Sequence, residues 1–233
     1  FAAQSDSADL VTSLQITAPT GVLYAYFIDP GENAVIPFTE GNGDYTVVGY
    51  QQIQGDQYAA LYSEILTVEL ENDFLPFLYP NQYVNFSPDS EASKLALSMV
   101  SEDTTDVDAL KQIYNYVVNN LTYDYDKAET VETGYLPDVD ETLSTKTGIC
   151  FDYAALTTAM LRSCDIPCKL QIGYTGDIKH AWIDVYIRSK GWVTGAVSFN
   201  GDSWSLMDPT FDSSADSDDT EAIQDYIGNA DNY

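Results

Sequence analysis

A chain of 233 residues allows one large or two small domains, with length to spare for a core. An apolar fraction of 45%, a charged fraction of 20% and 18 tyrosines describe an ordered globular protein and exclude a disordered one. The formal net charge of −28 argues against nucleic acid or anionic lipid as an electrostatic partner; a solvated acidic surface, as on a protein kept soluble outside a cell, is its plainest meaning.

The chain opens at Phe1 and runs into Gln4-Ser5-Asp6-Ser7-Ala8-Asp9. Residues 1–17 read as a polar stalk, the start of a trimmed chain whose export signal has been removed. Residues 1–93 contain no Lys or Arg, and the first is Lys94, which marks a boundary in composition. Strand-like runs fill the first part: 22–28, closed by Asp29-Pro30-Gly31; 34–38; 45–50; and 58–70. The aromatic stretch 74–86 is interrupted by Pro76 and Pro80 and reads as irregular or edge strand. Residues 18–86 are therefore expected to form a small β-sandwich-like domain whose tyrosines serve as core and rim packing.

Helical pattern begins after Ser87-Pro88-Asp89, with a first helix over about 90–100. Thr105 is placed to cap a second, with Asp108 in the capping-box position. Its stripe is Val107, Leu110, Tyr114, Val117, Val118 and Leu121. Residues 127–146 read as a polar loop around Gly134-Tyr135-Leu136-Pro137, and a loop of that length inside a compact domain is usually functional. A helix follows from Cys150 through Arg162; Ala154, Ala155 and Ala159 allow close approach to a sheet, and Asp165-Ile166-Pro167 ends it. Strands are expected over 169–174, 180–188, 191–199 and 204–207, with His180, Trp182 and Asp184 on one face of the second. The acidic stretch 212–219 matches no calcium-loop spacing and reads as a solvated tail. Residues 87–233 thus form a second, α+β domain.

Three cysteines cannot all pair, so at least one is free. Cys164 and Cys168 flank a tight corner and either bridge around it or stand as two buried thiols. With one histidine and no cysteine pair of the two-residue-gap type, no metal or cofactor is expected. No stretch is long and apolar enough to span a membrane.

The stretch 147–156 carries the chemistry. Cys150 follows a glycine-containing turn at the start of a helix, where unpaired N–H groups favour negative charge and thiolate is the reactive form. Thirty residues on is His180, the only histidine, and 28 further is Asp208, before Pro209. A cysteine nucleophile needs a neighbour to shuttle its proton, and an imidazole needs a carboxylate to hold its orientation. The backbone N–H of Cys150 is the first candidate for the oxyanion, Tyr135 the second, with Tyr123 behind it. Each residue alone is more often structural; together, in this order, they define a candidate thiol acyl-transfer site.

Thr147-Gly148-Ile149-Cys150-Phe151-Asp152-Tyr153-Ala154-Ala155-Leu156, Met160-Leu161-Arg162 with Ile166-Pro167, His180-Ala181-Trp182 and Met207-Asp208-Pro209-Thr210 resemble the motif blocks of the transglutaminase-like superfamily. Residues 113–118 with Tyr123-Asp124 resemble the helix and loop that precede them, so the likeness covers roughly 90–212. It implies a papain-like α+β core, with a helix bearing the cysteine packed on an antiparallel sheet. It also implies Cys150 as nucleophile, His180 as base and acid, and Asp208 as the orienting carboxylate. Two positions depart from the pattern: Tyr135 stands where animal transglutaminases use a tryptophan, and Cys164-Asp165 replaces a frequent glycine turn. Bacterial relatives with an added β domain tend to be exported or lipid-anchored, which implies an extracellular or surface-attached location. The expected function is thiol-dependent chemistry on an amide or peptide bond through an acyl-cysteine intermediate. Hydrolysis is favoured over transfer because no separate amine-binding feature is visible. Peptides and proteins, cell-wall peptides among them, are the expected substrates. The rival expectation is a non-catalytic surface-binding module on an inert core.

Overall fold

The computed structural model describes residues 2–4, 12–55, 57–132, 134–175, 178–199, 204–206 and 231–232. The chain divides into two units, Phe1–Pro76 and Phe77–Tyr233.

Among its described residues the first unit is built on strands, apart from its last residues. β1 (Ala2–Gln4) pairs with β4 (Asn33–Val35), and β2 (Thr12–Thr17), β3 (Leu23–Ile28), β5 (Gly43–Gln54) and β6 (Gln57–Val68) form a four-stranded antiparallel sheet ordered β3-β2-β5-β6. The polar stalk expected over 1–17 does not hold at 12–17, which pairs with β3 on one side and β5 on the other. Only Leu14 and Ile16 advertise this strand; its outward residues Gln15 and Thr17 are polar and mask the alternation. One face buries Leu14, Ile16, Tyr24, Tyr26, Ile28, Tyr45 and Val47. Buried tyrosines need partners for their hydroxyls, and they have them: Tyr24 donates to Glu40 at 2.8 Å and Tyr45 to the carbonyl of Gly41 at 2.8 Å. Tyr24 and Tyr45 are packing residues with satisfied tips. β6 is an edge strand, 12 residues long, and shows Leu61 and Ile65 to solvent.

In the second unit, α1 (Glu91–Met99) and α2 (Asp106–Asn120) lie close to the expected bounds. Thr105 caps α2 by accepting from the Asp108 N–H at 3.1 Å. The buried face of α2 is Ala109, Leu110, Ile113 and Val117. β7 (Thr122–Tyr123) follows, then α3 (Tyr125–Thr130) and α4 (Val139–Thr145), so the stretch expected as a loop holds two short helices. Neither carries a long apolar stripe: α3 buries no residue, and α4 buries only Val139 and Thr142. Their starts are fixed by carboxylate caps, Asp124 accepting from Lys127 N and Asp138 from Glu141 N.

β8 (Thr147–Gly148) leads into α5 (Cys150–Ser163), the element around which the unit is packed. Twelve of its residues are buried, because α1, α2 and α4 contact it as well as the sheet strands β9 (Cys168–Thr175) and β10 (Ile178–Ile187). Ala154, Ala155 and Ala159 are sealed, as close approach requires. The helix ends where Asp165 turns left-handed at φ 57°. Buried Arg162 then joins it to β9, donating twice to the Cys168 carbonyl at 3.0 and 2.8 Å and once to the Tyr79 carbonyl at 2.8 Å. β11 (Gly191–Phe199), β12 (Trp204–Leu206) and β13 (Asp231–Asn232) complete a five-stranded antiparallel sheet ordered β12-β11-β10-β9-β13. The unit is α+β with a cysteine-bearing helix on an antiparallel sheet. The acidic stretch 212–219 lies outside the described residues.

Candidate active site

The sulfur of Cys150 stands at the first residue of α5, where the chain has just left β8. β8 is held by a parallel bridge to β7, Thr122 N–H donating to Lys146 O and Asp124 N–H to Gly148 O, each at 2.9 Å. That bridge brings Tyr123 beside the start of the helix, where its hydroxyl hydrogen-bonds the sulfur. β10 brings His180, whose directly opposed neighbour on β9 is Gly173, a residue with no side chain to crowd the imidazole.

Cys150, His180, Tyr123 and Tyr135 line one cleft of about 450 Å³, together with Ala128, Val131, Glu132, Ile149, Phe151, Ile172 and Lys179. Three of the expected site residues therefore converge, and Tyr123 joins them. Asp208 lies outside the described residues.

Burial pushes the Cys150 thiol up. Hydrogen bonds from the Ala181 backbone, the Tyr123 hydroxyl and the Phe151 backbone pull it back, while the Asp152 carboxylate adds to the rise. Burial holds the His180 imidazole below its ordinary value. Both shifts favour a neutral thiol beside a neutral imidazole at rest. Burial also pushes Tyr123 up to about 12, so it stays a donor at any physiological pH.

Tyr135 has a different task from the one expected of it. Its hydroxyl donates to Asp152 Oδ1 and accepts from Lys127 Nζ at 2.7 Å. With its one proton engaged, it is not a free donor for an oxyanion; Tyr123 is the tyrosine at the sulfur. Burial and the bond to Asp152 push Tyr135 up to about 12.

Asp152 and Lys127 stand beside the site without a role assigned to them from the motif. Asp152 is wholly buried at the third position of α5, and its Oδ2 accepts from Ile149 N at 2.8 Å and from Lys127 Nζ at 2.8 Å. A carboxylate in the first turn, reaching back to the N–H ahead of the helix, is half of a capping box and was legible as such. Lys127 carried no sequence signal, because its place depends on α3.

Cys164 and Cys168 are not bridged; all three cysteines are free thiols. Cys168 is fully buried 3.5 Å from the Thr158 hydroxyl, and burial pushes it to about 12; Cys164 is pushed to about 11. Among the described residues no cluster of His, Cys, Asp and Glu is placed to hold a metal ion.

A buried thiol at the start of a central helix thus shares one cleft with an imidazole from an antiparallel sheet. Residues 93–195 match the family described as the transglutaminase-like superfamily. It is 24% identical over 183 residues to the uncharacterized protein YebA of Bacillus subtilis, covering 69% of this chain and 25% of that one. It is 40% identical over 62 residues to the UPF0252 protein MJ1282 of Methanocaldococcus jannaschii, covering 24% of this chain and 18% of the relative. This chain thus spans a quarter or less of either relative. Among solved structures it is similar to one described as "a Putative Cysteine Protease from Cytophaga hutchinsonii", 18% identical over 82% of this chain and 67% of that one, with a TM-score of 0.45. Another is described as a TGase, 18% identical over 48% of this chain and 31% of that one, with a TM-score of 0.36.

Proposed function

We propose that the protein is a thiol enzyme that cleaves an amide or peptide bond through an acyl-Cys150 intermediate. The observation that carries this reading is the meeting of Cys150 and the sole histidine, thirty residues apart in sequence, in one cleft at a helix N-terminus. His180 takes the thiol proton as the sulfur attacks the carbonyl carbon. The resulting oxyanion is received by the Cys150 N–H and, in place of Tyr135, by the Tyr123 hydroxyl, whose proton leaves the sulfur as the C–S bond forms and the sulfur loses its negative charge. His180 then gives the proton to the leaving nitrogen, the C–N bond breaks, and a thioester remains. Water, deprotonated by His180, attacks the thioester; the C–S bond breaks, the acid leaves and the thiol is restored. Asp208 is assigned the orienting role on the motif alone. An amine in place of water would give transfer; hydrolysis is the proposed outcome.

Peptides and proteins are the proposed substrates, and an extracellular or surface-attached setting fits the acidic charge. A panel of peptide, glutamine-donor and cell-wall amide substrates tests the reading. Turnover that disappears in Cys150→Ala, with the fold intact by circular dichroism, is expected. Turnover that survives in Cys150→Ala overturns it, and no turnover on any of them favours the binding module instead.

A further inference from the structure

Asp152 sets a physical conflict at the nucleophile. The carboxylate is wholly buried two residues from Cys150, where it satisfies the Ile149 N–H and favours the helix start. The same negative charge opposes the thiolate that the chemistry requires, since like charges at short range disfavour one another's ionised forms. A buried carboxylate is also costly unless it is paired and its lone pairs are filled. Lys127 answers both problems. Its ammonium, on α3, lies 2.8 Å from Asp152 Oδ2 and 2.7 Å from the Tyr135 oxygen, and sits 4.3 Å from the centre of the Tyr135 ring. It belongs to one of only nine basic residues in a chain of net charge −28, so a cation placed here is not a general feature of the surface.

We propose that Lys127 is a positioning residue for the nucleophile, its ammonium offsetting the charge of Asp152 at Cys150 while Tyr135 holds both partners in place. The other titratable groups lining the cleft are Tyr123 on β7, His180 and Lys179 on β10 and Glu132 after α3. Lys127 and Tyr135 both hydrogen-bond Asp152. The proposal rests on Cys150 as the nucleophile, but its test reads the thiol itself and needs no substrate.

The test is the rate of iodoacetamide alkylation at Cys150 against pH, followed by mass spectrometry of the 150-containing peptide in the full chain. Lys127→Gln is expected to move the midpoint up by about one pH unit, and Lys127→Arg to keep it where it was. Asp152→Asn alone is expected to move the midpoint down, because the ammonium then acts on the sulfur without its counter-charge. Lys127→Gln with Asp152→Asn is expected to undo the rise. A purely structural role predicts no such reversal of sign. An unmoved midpoint in Lys127→Gln, or a double variant that stays as high as Lys127→Gln, overturns the proposal. Where Lys127→Gln does not fold, Asp152→Asn decides alone, and a midpoint that rises or stays put overturns it. Absence of turnover on every substrate would count against the enzyme reading and leave this ordering of midpoints intact.

Discussion

Burial and hydrogen bonding act on the Cys150 sulfur with opposite signs, and single residues decide the balance. Tyr123 is the side-chain donor at the sulfur. Tyr123→Phe is expected to shift the alkylation midpoint of Cys150 to higher pH and, on the proposed mechanism, to lower turnover by about 10²-fold or more. The imidazole is held low by its own burial, so the free protein is expected to be alkylated slowly at neutral pH and faster as the solution becomes alkaline. His180→Ala should alter that profile; an identical curve would deny any coupling between the two groups. The placement of Cys150 and His180 in one cleft was legible because each depends on local structure, a helix start and a strand, and both features show in the sequence. Lys127 was not legible, because α3 buries no residue and so leaves no periodic trace. Tyr135 was placed in the right cleft with the wrong task, since its hydrogen bond to Asp152 is settled by packing between segments 17 residues apart.

Elements are fixed here by few contacts of high consequence. β8 can lie against the first turn of α5 only because residue 148 is glycine: a Cβ there would stand 2.6 Å from the Asp152 Cβ and 2.9 Å from its Oδ2. Gly148→Ala is expected to cost about 1–3 kcal/mol, read as a lower melting temperature, and to disturb Cys150 alkylation at the same time. α2 is tied to the turn after β10 by Asp106, which accepts from Arg188 N at 2.9 Å and from Arg188 Nε at 3.0 Å. Burial alone would raise the Asp106 carboxyl, but the hydrogen bonds and charge of Arg188 outweigh it and hold it below its ordinary value. A lowered folded-state value means the stabilisation is full above the ordinary aspartate range and is lost as pH falls through the folded value. Asp106→Ala should therefore destabilise by about 1–2 kcal/mol at neutral pH, with the difference from wild type shrinking in acid; urea melts at pH 7 and pH 3 measure both. The helices on either side of these ties were readable from caps and stripes. β2 was not, because two inward residues flanked by polar ones cannot outweigh a polar setting until the sheet supplies both neighbours.

The whole molecule carries a formal charge of −28, and its long-range field acts on anything that approaches the cleft. Negatively charged reagents and substrates should be repelled and cationic ones gathered. Alkylation of Cys150 by iodoacetate is expected to speed up as salt is raised from about 0.01 M to 1 M, where screening shortens from about 30 Å to 3 Å. Alkylation by neutral iodoacetamide should stay nearly level. Equal salt responses of the two reagents would show that local groups such as Lys179 and Glu132, not the global charge, set the potential at the sulfur.

The unequal settings of the three thiols have a practical consequence. Burial pushes Cys168 to about 12 and Cys164 to about 11, whereas Cys150 lines the cleft and three hydrogen bonds oppose its rise, so a mild electrophile added in measured doses is expected to meet a single address. Label taken up per mole then counts competent molecules in a preparation before any natural reactant has been identified.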